Sequence, residues 1–139
     1  MGMDVVMVRT PVLADLGHER FVSLTTFRRS GEPVPTPVWV LSDGKGVVVS
    51  TPAGAAKLKR IRNDPQVTLQ ACDRRGKVDP EAPVVEGSAH IISDSAASEA
   101  VSRRLLGKYG LEFRIFTAVE WVLRRGNSER VVLRITPTT

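Results

Sequence analysis

Four cations follow a run of small residues near the middle of the chain. Residues 50–62 read STPAGAAKLKRIR, and four of the last six of them are Lys or Arg. Lys57 offers a compact charge and Arg60 a planar fork of donors, and both suit an oxyanion such as phosphate. The alternative is a helix face that only aids solubility. The small residues before the cations favour a site, because large side chains there would obstruct a ligand.

The beginning of a helix is predicted in the same segment. Thr51 is typical of an N-cap and Pro52 of a first helical position, and the helix is predicted to end before Pro65. A helix N-terminus carries unpaired amide groups and a partial positive charge, so phosphate binds there readily. The hydroxyl groups of Ser50 and Thr51 are therefore predicted to lie beside the anion.

At 100° per residue, Leu58 and Ile61 share one face of this helix. Each flank of that face carries two cations: Lys57 and Arg60 on one side, Lys59 and Arg62 on the other. We expect the apolar face to pack on the core while both flanks stay accessible to an anion.

Most of the other elements are predicted to be strands. They are residues 21–27, 34–41, 47–51, 66–72, 82–93 with a bulge at Gly87, and 129–136. Pro35 and Pro37 predict an edge position or an irregular start for the strand at 34–41. Helices are predicted at residues 12–16, from Asp94 to about Leu106, and at 111–123. The second of these helices is predicted to end near Gly107 or Gly110. Strands that follow one another through hairpins predict a mainly β, antiparallel barrel with flanking helices. At 139 residues, positions 1–139 are interpreted as one domain.

Composition limits the classes of function. The net charge of +5 favours an anionic partner. Aromatic residues make up only 5% and none lies within the basic segment, so nucleic acid is a less favoured partner than a phosphorylated small molecule. No apolar stretch suits a membrane span or a secretory signal, and the single cysteine, Cys72, fits a reducing cytoplasm.

Several isolated residues invite a chemical role. His18 and His90 have no partner at metal-ligand spacing, so no metal site is predicted. Tyr109 is a candidate proton donor, although a helix-end contact is the favoured interpretation. Trp39 is equally suited to stacking on a bound ring and to filling the barrel. No catalytic residue is identified.

An ordered series of segments resembles the flavin/deazaflavin oxidoreductases, which are split-β-barrel proteins related to pyridoxamine 5′-phosphate oxidase. The segments are TFRRSGEPVPTPVWV at residues 25–39 and, after Ser50 and Thr51, AAKLKRIRNDPQV at residues 55–67. Their order is most similar to the branch that uses the deazaflavin coenzyme F420. The resemblance covers about residues 20 to 90.

The resemblance implies a set of cofactor-binding residues. It places the cofactor phosphate beside Ser50, Thr51, Ala56, Lys57 and Arg60. It places the ring against Thr36, Pro37, Val38 and Trp39. The anionic tail of coenzyme F420 would then meet the spare cations Lys59, Arg62, Arg74, Arg75 and Lys77.

Hydride transfer between the deazaflavin and a small conjugated organic substrate is the function that the resemblance implies. It also implies a homodimer whose second subunit completes the pocket, and an exposed apolar segment at residues 38–41 favours the same assembly. The alternatives are an FMN-dependent oxidoreductase or oxidase of the same fold, and a protein that binds the cofactor or nucleic acid without catalysis.

Overall fold

The computed structural model describes residues 12–123 and 129–138. In chain order its elements are a 3-10 turn (Leu13–His18), β1 (Phe21–Phe27), β2 (Pro33–Val38), β3 (Leu41–Asp43), β4 (Gly46–Pro52), α1 (Ala56–Asn63), β5 (Gln66–Cys72), β6 (Val85–Ile92), α2 (Ser95–Tyr109), α3 (Leu111–Leu123) and β7 (Arg130–Pro137). Within these residues the strands form one sheet in the order β2-β1-β5-β6-β7-β4-β3. Every neighbouring pair in that order is antiparallel. The predicted mainly β, antiparallel fold with flanking helices is confirmed.

Side-chain alternation along β4 and β7 divides the buried residues into two clusters. Val47 and Val49 of β4 face the main core inside the curved sheet, where Leu133 of β7 also lies. Val48 and Val132 point the other way, into a second cluster beneath α2. Successive residues of a strand face opposite sides, so these two strands support the core and hold α2 at the same time.

The N-terminus of α1 differs from the prediction. Ser50, Thr51 and Pro52 continue β4, where they pair with Val132, Val131 and Arg130 of β7. The predicted N-cap at Thr51 is therefore wrong, and the helix begins at Ala56 with Ala55 as its N-cap. Pairing with β7 holds this segment extended against its local helix signal. The predicted face of α1 is confirmed, because Leu58 and Ile61 are both buried.

Three proline residues make β2 an edge strand. Pro33, Pro35 and Pro37 alternate along it, and each lies opposite a residue of β1. Proline has no N–H group to donate, so the hydrogen bonds from β2 to β1 come from the amides of the residues between the prolines. The prolines themselves offer no N–H group to a further strand at the outer edge of β2. This confirms the edge position that the prolines predict. The edge is thereby protected against pairing with another strand.

The segment after β2 is buried, contrary to the prediction. The predicted single strand at 34–41 breaks after Val38 and resumes at Leu41 as β3. Val38, Val40 and Leu41 are exposed by only 7%, 0% and 5% within the single chain. The first two pack into the main core and Leu41 into the cluster beneath α2, so this segment is not an apolar surface that a partner must cover.

One glycine departs from expectation, and the end of α2 matches one of its two predicted positions. The register runs residue for residue through Gly87, so the predicted bulge is absent there. A Cβ at Gly87 would lie 2.7 Å from Ile135 Cγ2, which explains the glycine as a close approach. Helix α2 begins after Asp94, as predicted, but it passes through Gly107 and ends at Gly110, whose φ is 60°.

Within the described residues, no helix is long and apolar enough to cross a membrane.

Candidate functional site

A cavity of about 750 Å³ lies where β4, α1 and α3 meet. Its lining residues come from seven parts of the chain: Phe21, Pro37, Val38, Trp39, Ser50, Thr51, Pro52, Lys57, Arg74, Leu111, Glu112, Ile115, Val119 and Arg130. The volume is in the range of small-molecule and cofactor sites. One end of the lining is polar and basic, and the rest is largely apolar.

Arg130 and Ser50 are joined across the β4–β7 ladder at the polar end. The Nε of Arg130 donates to Ser50 Oγ at 2.7 Å, and its terminal nitrogen donates to the Ser50 carbonyl oxygen at 3.1 Å. These bonds fix the plane of the guanidinium beside the cavity. Arg130 was missed at the sequence level, because only the register that pairs it with Pro52 brings it to Ser50 and Thr51.

Thr51 carries a buried hydroxyl that lacks a partner. The residue is 1% exposed, and its Oγ1 makes no hydrogen bond within the part of the chain that the structure describes. Thr51 also lines the cavity. Leaving a buried hydroxyl unpaired costs about 1–3 kcal/mol.

Lys57 lines the same end and has no acidic partner among residues 12–123 and 129–138. The pKa of Lys57 is lowered from 10.5 to about 8, first because burial desolvates the ammonium and then because Arg60 and Arg130 repel it. The acid on the cavity wall, Glu112, is already paired with Arg20 at 2.7 Å and Arg74 at 3.4 Å. The polar end is therefore a partly desolvated cluster of cations that an anion would stabilise.

The structure separates the sequence-predicted residues into two groups. Pro37, Val38, Trp39, Ser50, Thr51 and Lys57 all line the cavity, and so does Arg74 from the predicted tail region. The other seven predicted residues do not line it: Thr36, Ala56, Lys59, Arg60, Arg62, Arg75 and Lys77. Ala56 and Lys59 are exposed on α1, while Arg60 turns toward β1 and donates to Thr26 Oγ1 at 2.7 Å. Arg60 thus acts on the site through its charge.

Trp39 lies between the cavity and the cluster beneath α2. Its ring centroid is 5.4 Å from that of Tyr109 and 5.2 Å from that of Phe113, with tilted geometry in both pairs. Such contacts are worth about 0.5–1.5 kcal/mol beyond area burial. The two roles considered for Trp39 are therefore compatible: it packs against the helices and still lines the cavity.

Tyr109 is a structural contact at the end of α2, as the favoured interpretation predicts. Its hydroxyl donates to the Arg20 carbonyl oxygen at 2.7 Å and accepts from the Val40 amide at 3.2 Å. Burial raises the pKa of this hydroxyl. The neighbouring Lys108 donates to the carbonyl oxygens of Gly17, Glu19 and Val40 at 2.7, 2.9 and 2.7 Å. Together these bonds tie α2 to the segment that carries Trp39.

The remaining candidates lie outside the cavity. His90 is exposed and lies 3.4 Å from Thr136 Oγ1, and burial raises the pKa of the half-buried Cys72 thiol. In residues 12–123 and 129–138, no group of three or more His, Cys, Asp or Glu side chains is arranged to hold a metal ion.

The residues present fit a phosphorylated cofactor with a flat ring. The polar end offers the Lys57 ammonium and the oriented Arg130, which are donors to a phosphate. The adjoining wall of Pro37, Val38 and Trp39 is suited to one edge or face of a ring. The fit of such a cofactor depends only on these residues, which line the cavity.

Comparison with known proteins identifies the relatives of the chain. A family model described as "Pyridoxamine 5′-phosphate oxidase" matches residues 11–139. No curated protein matches the chain in sequence.

Solved structures share the fold at low identity. A conserved hypothetical protein of Mycobacterium tuberculosis has a TM-score of 0.66 at 21% identity, over 94% of this chain and 85% of its own. The heme storage protein HutZ of Vibrio cholerae has a TM-score of 0.61 at 15% identity, over 88% and 84%. An F420 reductase has a TM-score of 0.57 at 18% identity, over 94% and 97%. These likenesses, together with the family match, confirm the predicted split-barrel fold.

Proposed function

The chain belongs to the pyridoxamine 5′-phosphate oxidase family, and on this premise we propose that it is an oxidoreductase that binds coenzyme F420. In this proposal it transfers a hydride between the deazaflavin and a small conjugated organic substrate. The similarity in fold to an F420 reductase is compatible with that cofactor.

The polar end of the cavity is the observation that carries the proposal. Lys57 lines the cavity but is desolvated and repelled by two arginines. This arrangement is unfavourable in the unliganded protein, and a bound phosphate would relieve it. A surface that served only solubility would keep its cations in water, so the alternative interpretation of the basic segment does not account for Lys57.

A bound deazaflavin would supply hydride chemistry, because carbon replaces the reactive central nitrogen of a flavin. The chain itself then has to bind and orient rather than to exchange protons. Lys57 and Arg130 would hold the phosphate, while Val38 and Trp39 would contact the ring. This division of roles is consistent with the lack of a recognisable acid–base pair among the residues that line the cavity.

We expect the deazaflavin to bind more tightly than FMN, with a difference that narrows as the salt concentration rises. Both ligands carry a ribityl phosphate, so the polar end does not discriminate between them. The deazaflavin continues into a carboxylate tail that can meet Arg74 at the cavity and the exposed Lys59. Each exposed ion pair is worth about 0.2–1 kcal/mol and is screened by salt. Fluorescence titration of both ligands at low and high ionic strength measures the difference.

A paired set of variants separates the tail from the phosphate. Arg74→Ala should weaken the deazaflavin several-fold and leave FMN unchanged, whereas Arg28→Ala, at an exposed turn where Arg28 pairs only with Glu32 in the described chain, should change neither. Tighter binding of FMN at low salt would make the FMN-dependent alternative the better one. If wild-type protein binds neither ligand, the proposed activity is wrong.

A homodimer is also proposed, on the resemblance alone. The buried Val38, Val40 and Leu41 remove the apolar segment that first favoured it. We expect sedimentation equilibrium at micromolar concentration to give twice the mass of the chain, which is 15.2 kDa. A monomer under those conditions would contradict both the dimer and a pocket completed by a second subunit.

A further inference from the structure

Lys57 lies at a position that disfavours its ammonium form. It is the second residue of α1, and the first turn of that helix contains no acidic residue. The N-terminus of a helix carries a partial positive charge, so a cation there is unfavourable. Arg60, one turn further along α1, and Arg130 of β7 both repel the ammonium. The surroundings of Lys57 therefore favour the neutral amine.

The amine can also be reached by a small molecule. The Lys57 side chain is half-buried, and it lines the cavity of about 750 Å³ together with Arg130. Burial and the two arginines bring the pKa of Lys57 to about 8. About half of the Lys57 amines are then neutral at pH 8, against less than about 1% for an ordinary lysine. A neutral lysine amine beside other cations is an activated nucleophile.

We propose that Lys57 of the unliganded protein is a site of Nε-acylation by acyl phosphates. The cations around the amine would attract the phosphoryl group of such a reagent and bring its carbonyl carbon to Nζ. The same cations would stabilise the phosphate as it leaves. A neutral acyl donor or an aldehyde benefits from neither effect, so acyl phosphates are the favoured class.

The acyl transfer needs no oxidant or reductant. The lone pair of Lys57 Nζ attacks the carbonyl carbon, and a C–N bond forms. The bond between that carbon and the phosphate oxygen breaks, and its electron pair leaves with inorganic phosphate. The proton of the amine passes to the phosphate or to water. The product is a neutral amide, so the polar end of the cavity loses one positive charge.

Acylation would control the binding of an anionic cofactor. The amide of Lys57 no longer donates a charge-assisted hydrogen bond to phosphate. We therefore expect the deazaflavin affinity of the acetylated protein to fall by about ten- to a hundredfold, the scale of one such bond. This consequence rests on the proposed function, whereas the modification itself does not.

Acetyl phosphate is the probe for the modification. Unliganded wild type is incubated with it at pH 8, and acetylation of each lysine is followed by peptide mass mapping. Lys59 is the internal control, because it is exposed on the same helix and does not line the cavity. We expect Lys57 to react at least tenfold faster than Lys59. With acetic anhydride, which is neutral, this ratio should be several-fold smaller.

Inorganic phosphate tests whether the anion site guides the reaction. It should slow the acetylation of Lys57 by acetic anhydride, because a bound anion covers the amine and favours its charged form. Sodium chloride at the same ionic strength should give no such protection. The reaction of Lys59 should be the same in both salts.

The pH dependence identifies the amine that reacts. The rate of Lys57 relative to Lys59 should fall between pH 8 and 10.5, because ordinary lysines gain neutral amine over that range while Lys57 has already lost its proton. The charged groups around the amine are Arg60 and Arg130, and the charged residues Arg74 and Glu112 also line the cavity. Arginine and carboxylate side chains in general do not titrate in this range.

Matched variants confirm the position of the adduct. Lys57→Arg should remove the fast acetylation seen in the intact mass, whereas Lys59→Arg should retain it. Both substitutions keep the positive charge, so neither changes the attraction of the reagent to the chain as a whole.

Three outcomes would overturn the inference: equal rates at Lys57 and Lys59, equal selectivity with acetyl phosphate and acetic anhydride, or no protection by inorganic phosphate. Saturating deazaflavin separates the inference from the proposed function. If inorganic phosphate protects Lys57 and the deazaflavin does not, the inference is supported and the proposed function is contradicted.

Discussion

Replacing Lys57 with alanine will weaken deazaflavin binding by about ten- to a hundredfold. A hydrogen bond from an ammonium to phosphate is worth about 1.5–3 kcal/mol, which corresponds to that range of affinity. The effect should be in the upper part of the range, because Lys57 is partly desolvated and forms no ion pair among the described residues. Fluorescence titration of wild type and variant at pH 7 measures it.

The same substitution should leave the unliganded protein at least as stable as wild type. The pKa of Lys57 in the folded protein is about 8, below its ordinary 10.5. Below pH 8 the Lys57 ammonium is charged in both the folded and the unfolded state, but only in the folded state is it partly desolvated. This lowers the free energy of unfolding by up to about 3 kcal/mol. Removing the ammonium removes that cost. Thermal unfolding without ligand should show an unchanged or raised midpoint.

Lys59→Ala is the matched control for charge on α1. Lys59 lies two residues away, is exposed and does not line the cavity. Its loss removes the same net charge, and should change affinity for FMN, which has no tail, by less than about threefold, the scale of one exposed pair. Equal losses of FMN affinity in the Lys57 and Lys59 variants would show that net charge, not a site at Lys57, attracts the ligand.

Local sequence patterns predicted much of the fold and three of the four residues at the polar end of the site. Leu58 and Ile61 sit three residues apart, and that spacing alone places them on the buried face of α1. The prolines of β2 predicted an edge strand for an equally local reason, since each removes one amide donor. Ser50, Thr51 and Lys57 are close in sequence, so the chain itself brings them together.

The rest of the site depends on contacts between distant residues. Arg130 reaches Ser50 only through the register of β4 with β7, which no local pattern specifies. The N-terminus of α1 was misplaced for the same reason, because pairing with Val131 keeps Thr51 in a strand despite a favourable capping sequence. The spacing of Leu111, Ile115 and Val119 predicted a helix. The same spacing does not determine whether this face of the helix meets the core or a cavity.

The affinity for the deazaflavin will fall as the pH rises above 8. Only the charged form of Lys57 binds the phosphate strongly, and a bound anion raises the pKa of Lys57 above the value of about 8 that it has in the unliganded protein. Binding therefore takes up a proton above pH 8, and affinity falls by up to tenfold per pH unit until the pKa of the complex is reached. The phosphate of the deazaflavin is a diester that continues into the tail, so it stays ionised and has no proton to lose above pH 7.

Titrations at pH 7, 8, 9 and 10 in constant ionic strength measure this dependence, and the Lys57→Ala variant provides its control. Without the ammonium, the same series should be nearly flat over this window, because arginine side chains in general stay charged at these pH values. The free energy of unfolding of the unliganded protein should instead rise between pH 8 and 10.5. Over this range Lys57 is protonated in the unfolded chain but has lost its proton in the folded protein. A wild-type affinity that is constant to pH 10 would mean that Lys57 does not contact the anion. An equal fall in the variant would place the titrating group elsewhere.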